Sequence, residues 1–291
     1  MKIAKGIILA GGTGSRLYPL TIASNKQLLP IYDKPAVYYP LTTLMLAGIK
    51  EVLIISTPKD ITALESLFGD GTAFGMTFSY KVQAEPRGLP EAFILGEEFI
   101  EQKPVAMILG DNFFHGHGLA QVIGEASDNL NGAHIFAYPV DDPSRYGVVT
   151  FDKNQKVASL EEKPAKPRSN YAVTGLYFFD GHVSEYAKQL KFSQRGETEI
   201  TDLLKYYLSL KKLDVSVLGR GYVWFDVGTS KSLLDASNYV EVIQSRQGTI
   251  IASPEEVAWR MGFIEKEDFL SHVYSLPKSQ YQQYLLRIDS L

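Results

Sequence analysis

The chain has 291 residues, 45% hydrophobic and 21% charged, the balance of a soluble globular protein with room for one large α/β domain. Its net charge of −4 leaves no overall basic field for nucleic acid or an anionic membrane, so any phosphate must be met by local cations. Cysteine is absent, which excludes disulfides, thiolate zinc sites and cysteine nucleophiles and fits a reducing compartment.

The first apolar run is too short for a secretory leader, and no stretch approaches the ~18 apolar residues of a membrane span. The expected location is therefore cytoplasmic. Residues 3–10 read as a buried strand. Residues 37–47 carry Val37, Leu41, Leu44 and Met45 at helical spacing, with Pro40 near the start and Gly48 as a stop. A strand is predicted over 51–56, then a helix with Asp60 as N-cap and Gly69 as its end. A strand over 76–83, a helix over 91–100, a strand over 105–110, a helix over 119–130 and a strand over 133–139 complete a βαβ rhythm. Strands over 146–152, 156–161 and 171–180 then follow in quick succession. Helices are predicted over 185–190 and 199–210, strands over 214–218 and 222–226, a long helix over 231–244 and short helices over 254–291. The fold class is α/β: a Rossmann-like, mixed but mostly parallel central sheet covered by helices on both faces. A small antiparallel extension and a C-terminal helical segment complete it. Nothing forces a boundary, so residues 1–291 read as one unit, a core over 1–230 and an assembly or regulatory segment over 231–291.

Residues 7–16 read IILAGGTGSR, and Lys26 follows in NKQLLP. Glycines let backbone N–H groups crowd around an anion, and Arg16 and Lys26 can neutralise phosphate charge, Arg as a fork and Lys as a point. At the carboxyl end of the first strand of an α/β sheet, this is a phosphate cradle. A dinucleotide fingerprint wants glycine at position 17, which is Leu17, and no Gly-Lys-Ser/Thr follows to make a P-loop. A tight strand-to-helix turn is the alternative. Asp111 and Asp226 each follow an apolar strand, where an Mg²⁺ ion beside a triphosphate would find oxygen ligands. Helix capping is the plainer role for either. Gln83 can meet the N3–H and O4 edge of thymine or uracil, since an amide both donates and accepts. His115 and His117 form a His-x-His pair, too few ligands for a metal site without further help.

LAGGTGSRL (9–17) with KQLLP (26–30) resembles the signature of the sugar-1-phosphate nucleotidylyltransferases. The likeness continues through YDKP (32–35), LGDN (109–112), RYGV (145–148), EEKP (161–164), NYAVTGLY (170–177) and RGE-x-EIT (195–201). Within that family it is most similar to the branch that joins dTTP and glucose 1-phosphate. The resemblance implies nucleotide contacts from Leu9, Gly11, Gly12, Thr13, Gly14, Gln27, Gln83, Gly88 and Asp111. It gives catalytic roles to Arg16, Lys26 and Lys163, and an Mg²⁺ cofactor to Asp111 and Asp226. Sugar-phosphate contacts are implied for Asn112, Gly147, Glu162, Lys163, Val173 and Tyr177. By charge pattern alone, the run at 161–163 would be a solvated turn. A homotetramer with a second, inhibitory nucleotide site is also implied, with Gly219, Arg220 and Arg260 as candidates beside the alternative of plain surface residues.

The chain departs from the family at Arg87, Pro90 and Glu91, beside Gln83, and at Val227, where relatives carry threonine. Thymine and uracil differ by one methyl, so the residues leave UTP, CTP or ATP open as the nucleotide. A non-catalytic nucleotide-sugar sensor is the rival outside the enzyme class. The absence of Asp-x-Asp argues against a metal-dependent glycosyltransferase.

Overall fold

The computed structural model describes residues 2–288, so residues 289–291 of the predicted terminal helices lie outside the described residues. Strand β1 (Lys5–Ala10) is buried along its length. After the glycine loop come a ribbon, β2 (Pro30–Ile31) and β3 (Lys34–Pro35), and helix α1 (Tyr38–Leu46). The alternation continues with β4 (Glu51–Ser56), α2 (Ile61–Phe68), β5 (Thr77–Val82), α3 (Glu91–Leu95), α4 (Glu97–Ile100) and β6 (Val105–Leu109). Then come β7 (Asn112–Gly116), α5 (Leu119–Asp128), β8 (Ala133–Pro139), β9 (Gly147–Phe151), β10 (Val157–Glu162) and β11 (Tyr171–Phe179). Helices α6 (Val183–Lys188) and α7 (Ile200–Ser209) precede β12 (Leu213–Val217) and β13 (Tyr222–Asp226). Four helices follow: α8 (Ser230–Gln247), α9 (Pro254–Arg260), α10 (Lys266–Ser275) and α11 (Gln280–Ile288).

The main sheet runs β10-β9-β11-β6-β1-β4-β5, with β8 beside β11 and β12 beside β8. β6, β1, β4 and β5 are parallel, and β11 enters antiparallel against β6. The strands expected as a small extension are thus continuous with the sheet. Successive β1 residues face opposite cores. Ile8 and Ala10 pack with Leu41 and Leu44 of α1 and Leu64 of α2, while Ile7 and Leu9 pack with Phe93 of α3 and Leu203 and Leu204 of α7. With helices on both faces, β1 needs no polar face, which is why it reads as a continuous apolar run. From β1 the chain first winds outward to β4 and β5, then returns to β6 on the other side. That reversal opens a crevice at the carboxyl ends of β1 and β6, where such sheets bind ligands.

Three expectations need correction. The helix predicted over 91–100 divides at Gly96, where the backbone runs close against Leu53 and Ile7 of the sheet. Asp60 is the N-cap residue of α2 as expected, but its side chain makes no capping bond; its carboxylate instead accepts from Asn25 Nδ2 at 2.8 Å and Thr57 Oγ1 at 2.7 Å, tying down the loop around Lys26. β7 was not foreseen and pairs antiparallel with β13 in a separate ribbon.

His134 on β8 is buried, with Nε2 2.9 Å from Ser216 Oγ. Burial pushes its pKa down to about 4, against the pull of Asp214. The unfolded chain therefore binds the proton first as pH falls. The stabilisation is complete above about pH 6.5 and is lost towards pH 4, a swing of about 3 kcal/mol. His134→Gln should flatten that stretch of the stability–pH curve, read from urea midpoints between pH 4 and 7. An unaltered slope would remove His134 as its source.

Candidate active site

The crevice is a cavity of about 570 Å³. β1 and the glycine loop contribute Leu9, Gly11, Gly12 and Arg16, and Lys26 stands on the turn beyond. Gln83 and Gly88 come from the segment after β5, and Asp111 and Asn112 from the end of β6 and start of β7. Gly147, Glu162, Val173 and Tyr177 come from β9, β10 and β11, Lys163 from the bend directly after β10, and Asp226 from β13. Thr13 and Gly14 line a smaller adjoining cavity of about 200 Å³ with Arg16, Lys26 and Gly228. At Gly12, with φ +94°, the loop turns through left-handed backbone, and a Cβ there would sit 3.9 Å from Lys26 Nζ.

The two aspartates, 115 residues apart in sequence, are brought together by the β7–β13 ribbon. Asp226 pairs in register with Asn112, and the backbone N–H of Val227 donates to the Asp111 carbonyl at 2.9 Å. Val227 itself is buried in an apolar cluster with Ile31, Tyr39 and Phe113. Lys26 Nζ donates to Asp111 Oδ2 in a short ion pair. Burial alone would raise the Asp111 carboxyl, but the Lys26 ammonium and the Asn112 amide outweigh it and hold the group below its ordinary value. Asp226 is pushed up to about 6 by burial and by the Asp111 charge, against Arg16, Lys26 and Arg145. Arg16 Nη2 stands 4.0 Å from Asp226 Oδ2 with its side chain half exposed, a loose pairing in water. Asp111 is buried and Asp226 partly so, and the second of these neighbouring carboxylates resists ionisation, so the pair would accept further positive charge. Among the described residues no third His, Cys, Asp or Glu joins them into a complete metal cage. That donor set fits Mg²⁺, which takes one or two carboxylates and completes its shell with substrate phosphate and water.

Asn112 proves to be a hub. Its Oδ1 accepts from Trp224 Nε1 at 2.6 Å and from the Gly175 N–H at 3.0 Å, and its Nδ2 donates to Asp111 Oδ1 at 3.0 Å. It therefore shapes the wall more than it offers polar atoms to a ligand. Gln27 is not a lining residue; it is buried behind the loop, where Nε2 donates to the Gly11 carbonyl at 3.2 Å. The buried Tyr177 hydroxyl is pushed well above its ordinary range by burial and then by Glu162. Arg145, Tyr146, Arg195 and Trp224 also line the cavity, without having been assigned a role. Arg195 binds Glu199 through Nε at 3.0 Å and Nη2 at 2.7 Å and lies 3.8 Å from Glu162. The sequence carried that signal in RGE-x-EIT, which entered the resemblance as a motif without a role for Arg195.

His115 Nδ1 is 2.8 Å from the Tyr239 hydroxyl, and its protonated form is disfavoured by burial. Of the His-x-His pair, His115 lies on β7 and His117 on the turn that follows it. Arg260 and His115 line a second cavity of about 260 Å³, with Arg260 Nε on Glu256 at 2.7 Å. Gly219 and Arg220, exposed on the turn before β13, are not among its lining residues.

The doubly covered sheet, with a glycine loop at its switch point and an acidic pair facing three cations, is the architecture of a nucleotidyl transferase. The chain belongs to the nucleotidyl transferase family, whose model matches residues 5–242. Among curated proteins it is 51% identical to the glucose-1-phosphate thymidylyltransferase of Neisseria meningitidis serogroup A, over 98% of this chain and 99% of that one. A Bacillus anthracis chain described as a glucose-1-phosphate thymidylyltransferase, solved in complex with sucrose, superposes with a TM-score of 0.75 at 40% identity, covering 81% of this chain and 94% of that one. A UDP-glucose pyrophosphorylase bound to UDP-glucose gives a TM-score of 0.74 at 26% identity, covering 83% and 99%.

Proposed function

We propose that the chain transfers the deoxythymidylyl group of dTTP to glucose 1-phosphate, giving dTDP-glucose and pyrophosphate. The observation that carries the reading is the joining of the glycine loop, Arg16 and Lys26 with Glu162, Lys163 and Arg195 around one cavity. Two phosphorylated substrates need two cationic ends. The attacking oxygen belongs to a phosphate monoester whose second pKa is about 6, so it is already ionised and no side chain need take a proton. What the residues must do is bring two anions together and aim them. Lys163 holds the sugar phosphate in line with the α-phosphorus, Lys26 neutralises charge on the α-phosphate and Arg16 receives the departing pyrophosphate. Glu162 accepts from sugar hydroxyls. Asp111 and Asp226 would hold Mg²⁺, which supplies charge screening and polarises the phosphoryl oxygens. Gln83 and Gly88 face the base. We read the protein as cytoplasmic and homotetrameric, with the helices beyond residue 230 serving assembly and the cavity at Arg260 as the candidate regulatory site. Among the described residues no helix is long and apolar enough to cross a membrane.

The test is pyrophosphate release from dTTP, UTP, dCTP and ATP, each with and without glucose 1-phosphate. Release should require both substrates and be fastest with dTTP; none with any nucleotide would overturn the reading. Lys163 Nζ is 3.5 Å from Glu162 Oε1, and its side chain is 46% exposed, so its charge is available to a ligand. Lys163→Ala should raise KM for glucose 1-phosphate roughly tenfold or more, the cost of one charge-assisted contact, while leaving KM for dTTP nearly fixed. An unchanged sugar-phosphate KM removes its role.

A further inference from the structure

Gln83 lies at the cavity wall with its side chain buried. Its Nε2 donates to Glu91 Oε2 at 2.6 Å. Among the described residues no donor reaches Oε1, which stands 2.9 Å from where a Cβ on Gly11 would lie. Glu91 opens α3 directly after Pro90, two of the positions at which this chain departs from its family. A carboxylate only accepts hydrogen bonds, whereas a carboxamide in its place would both donate and accept. The difference fixes the Gln83 amide. Turned over, its oxygen would meet a carboxylate oxygen at the 2.6 Å now spanned by a hydrogen bond, acceptor against acceptor. One orientation is left, with an N–H on Glu91 and Oε1 towards the cavity.

We propose that Glu91 is a positioning residue for base selection: by holding the Gln83 oxygen towards the cavity, it commits the site to bases whose pairing edge presents an imide N–H. Thymine and uracil have that N–H at N3, whereas cytosine has a bare acceptor there. Set against Oε1, cytosine leaves two acceptors facing each other without water between them, a mismatch worth about 10–10²-fold. The inference rests on the reading that Gln83 meets the base.

Its test is the ratio of dTTP to dCTP affinity, measured by calorimetry without sugar phosphate, so that no turnover is required. The unaltered protein should favour dTTP by about tenfold or more. Glu91→Gln should cut that ratio several-fold, because either amide orientation is then allowed. Glu91→Lys, whose ammonium only donates, should turn the amide over and shift the preference towards dCTP. General loosening of the wall would weaken both nucleotides alike and leave the ratio where it was. In a Gln83→Ala background, exchange at position 91 should no longer move the ratio, since the two side chains act as a pair. A ratio near one in the unaltered protein, or one indifferent to both Glu91 variants, overturns the proposal. If the ratio follows residue 91 while no nucleotide yields pyrophosphate, the transferase reading falls and the amide lock stands. If dTTP is turned over and the ratio ignores residue 91, the lock alone falls.

Discussion

Lys26→Ala is expected to lower kcat for pyrophosphate release by about 10²–10³, the loss that follows removal of one electrostatic donor from a preorganised site. The size comes from where Lys26 stands. Its ammonium is mostly buried, pairs with the buried Asp111 and borders the glycine loop. Its removal subtracts positive charge at the place where two anionic substrates must meet. It also leaves Asp111 without its ion-pair partner beside Asp226, whose carboxyl is already raised by burial and by the Asp111 charge. Breaking one partner out of a buried ion pair costs about 3–5 kcal/mol of stability. Thermal melting should therefore accompany the kinetics, with rates taken well below the variant's transition. KM for glucose 1-phosphate should move far less than kcat, because Lys163 stands just beyond β10, on the other half of the sheet. A folded Lys26→Ala with full kcat would show that the α-phosphate charge is met elsewhere.

The half of the site built from local sequence was legible, and the half built by long-range pairing was not. β1 with its glycine loop, and β6 ending at Asp111, are each a short apolar run followed by its own functional residue. Such runs are legible because both faces of the sheet are covered. β7 has the sequence NFFHG, without clean alternation or a turn signal, and its partner β13 begins more than a hundred residues later. Nothing local announces that pairing, yet it is what sets Asp226 beside Asp111. Asn112 shows the limit of motif reading from the other side. It stands in the LGDN motif, and its amide is spent on Trp224, Gly175 and Asp111. Gln27 sits in the KQLLP motif and braces the loop from behind. Membership of a motif thus located the neighbourhood, and hydrogen bonding decided which members face the cavity. The departures at 87–91 could be seen in the sequence, but their consequence depended on the side chain of Gln83 coming within reach of Glu91.

Gly88→Ala should reduce kcat/KM for dTTP by about 10² or more, since misplacement of a binding group by about 1 Å can cost that much. At Gly88 the backbone has φ +111°, and a Cβ would lie 2.0 Å from the Thr198 carbonyl oxygen and 2.8 Å from its nitrogen. No rotamer relieves a clash between a Cβ and backbone, so one of the two segments must move. They are bolted together: the Thr198 N–H donates to the Arg87 carbonyl at 2.9 Å, and its hydroxyl donates to the same oxygen at 3.0 Å. Separating them shifts the segment carrying Gly88 on one side and displaces Arg195 and Glu199 on the other, so both substrates should bind less well. Gly248→Ala is the control. Gly248 also has positive φ, at the end of α8, but nothing lies within 4 Å of its would-be Cβ. There the substitution costs only backbone strain of about 1 kcal/mol and should leave both KM values alone. Equal effects of the two alanines would mean that φ, and not contact with Thr198, makes glycine necessary at position 88. A large effect at Gly88 alone would mean that the base-facing segment and the sugar-side wall are held at a fixed spacing, so that a change at one substrate's end is felt at the other.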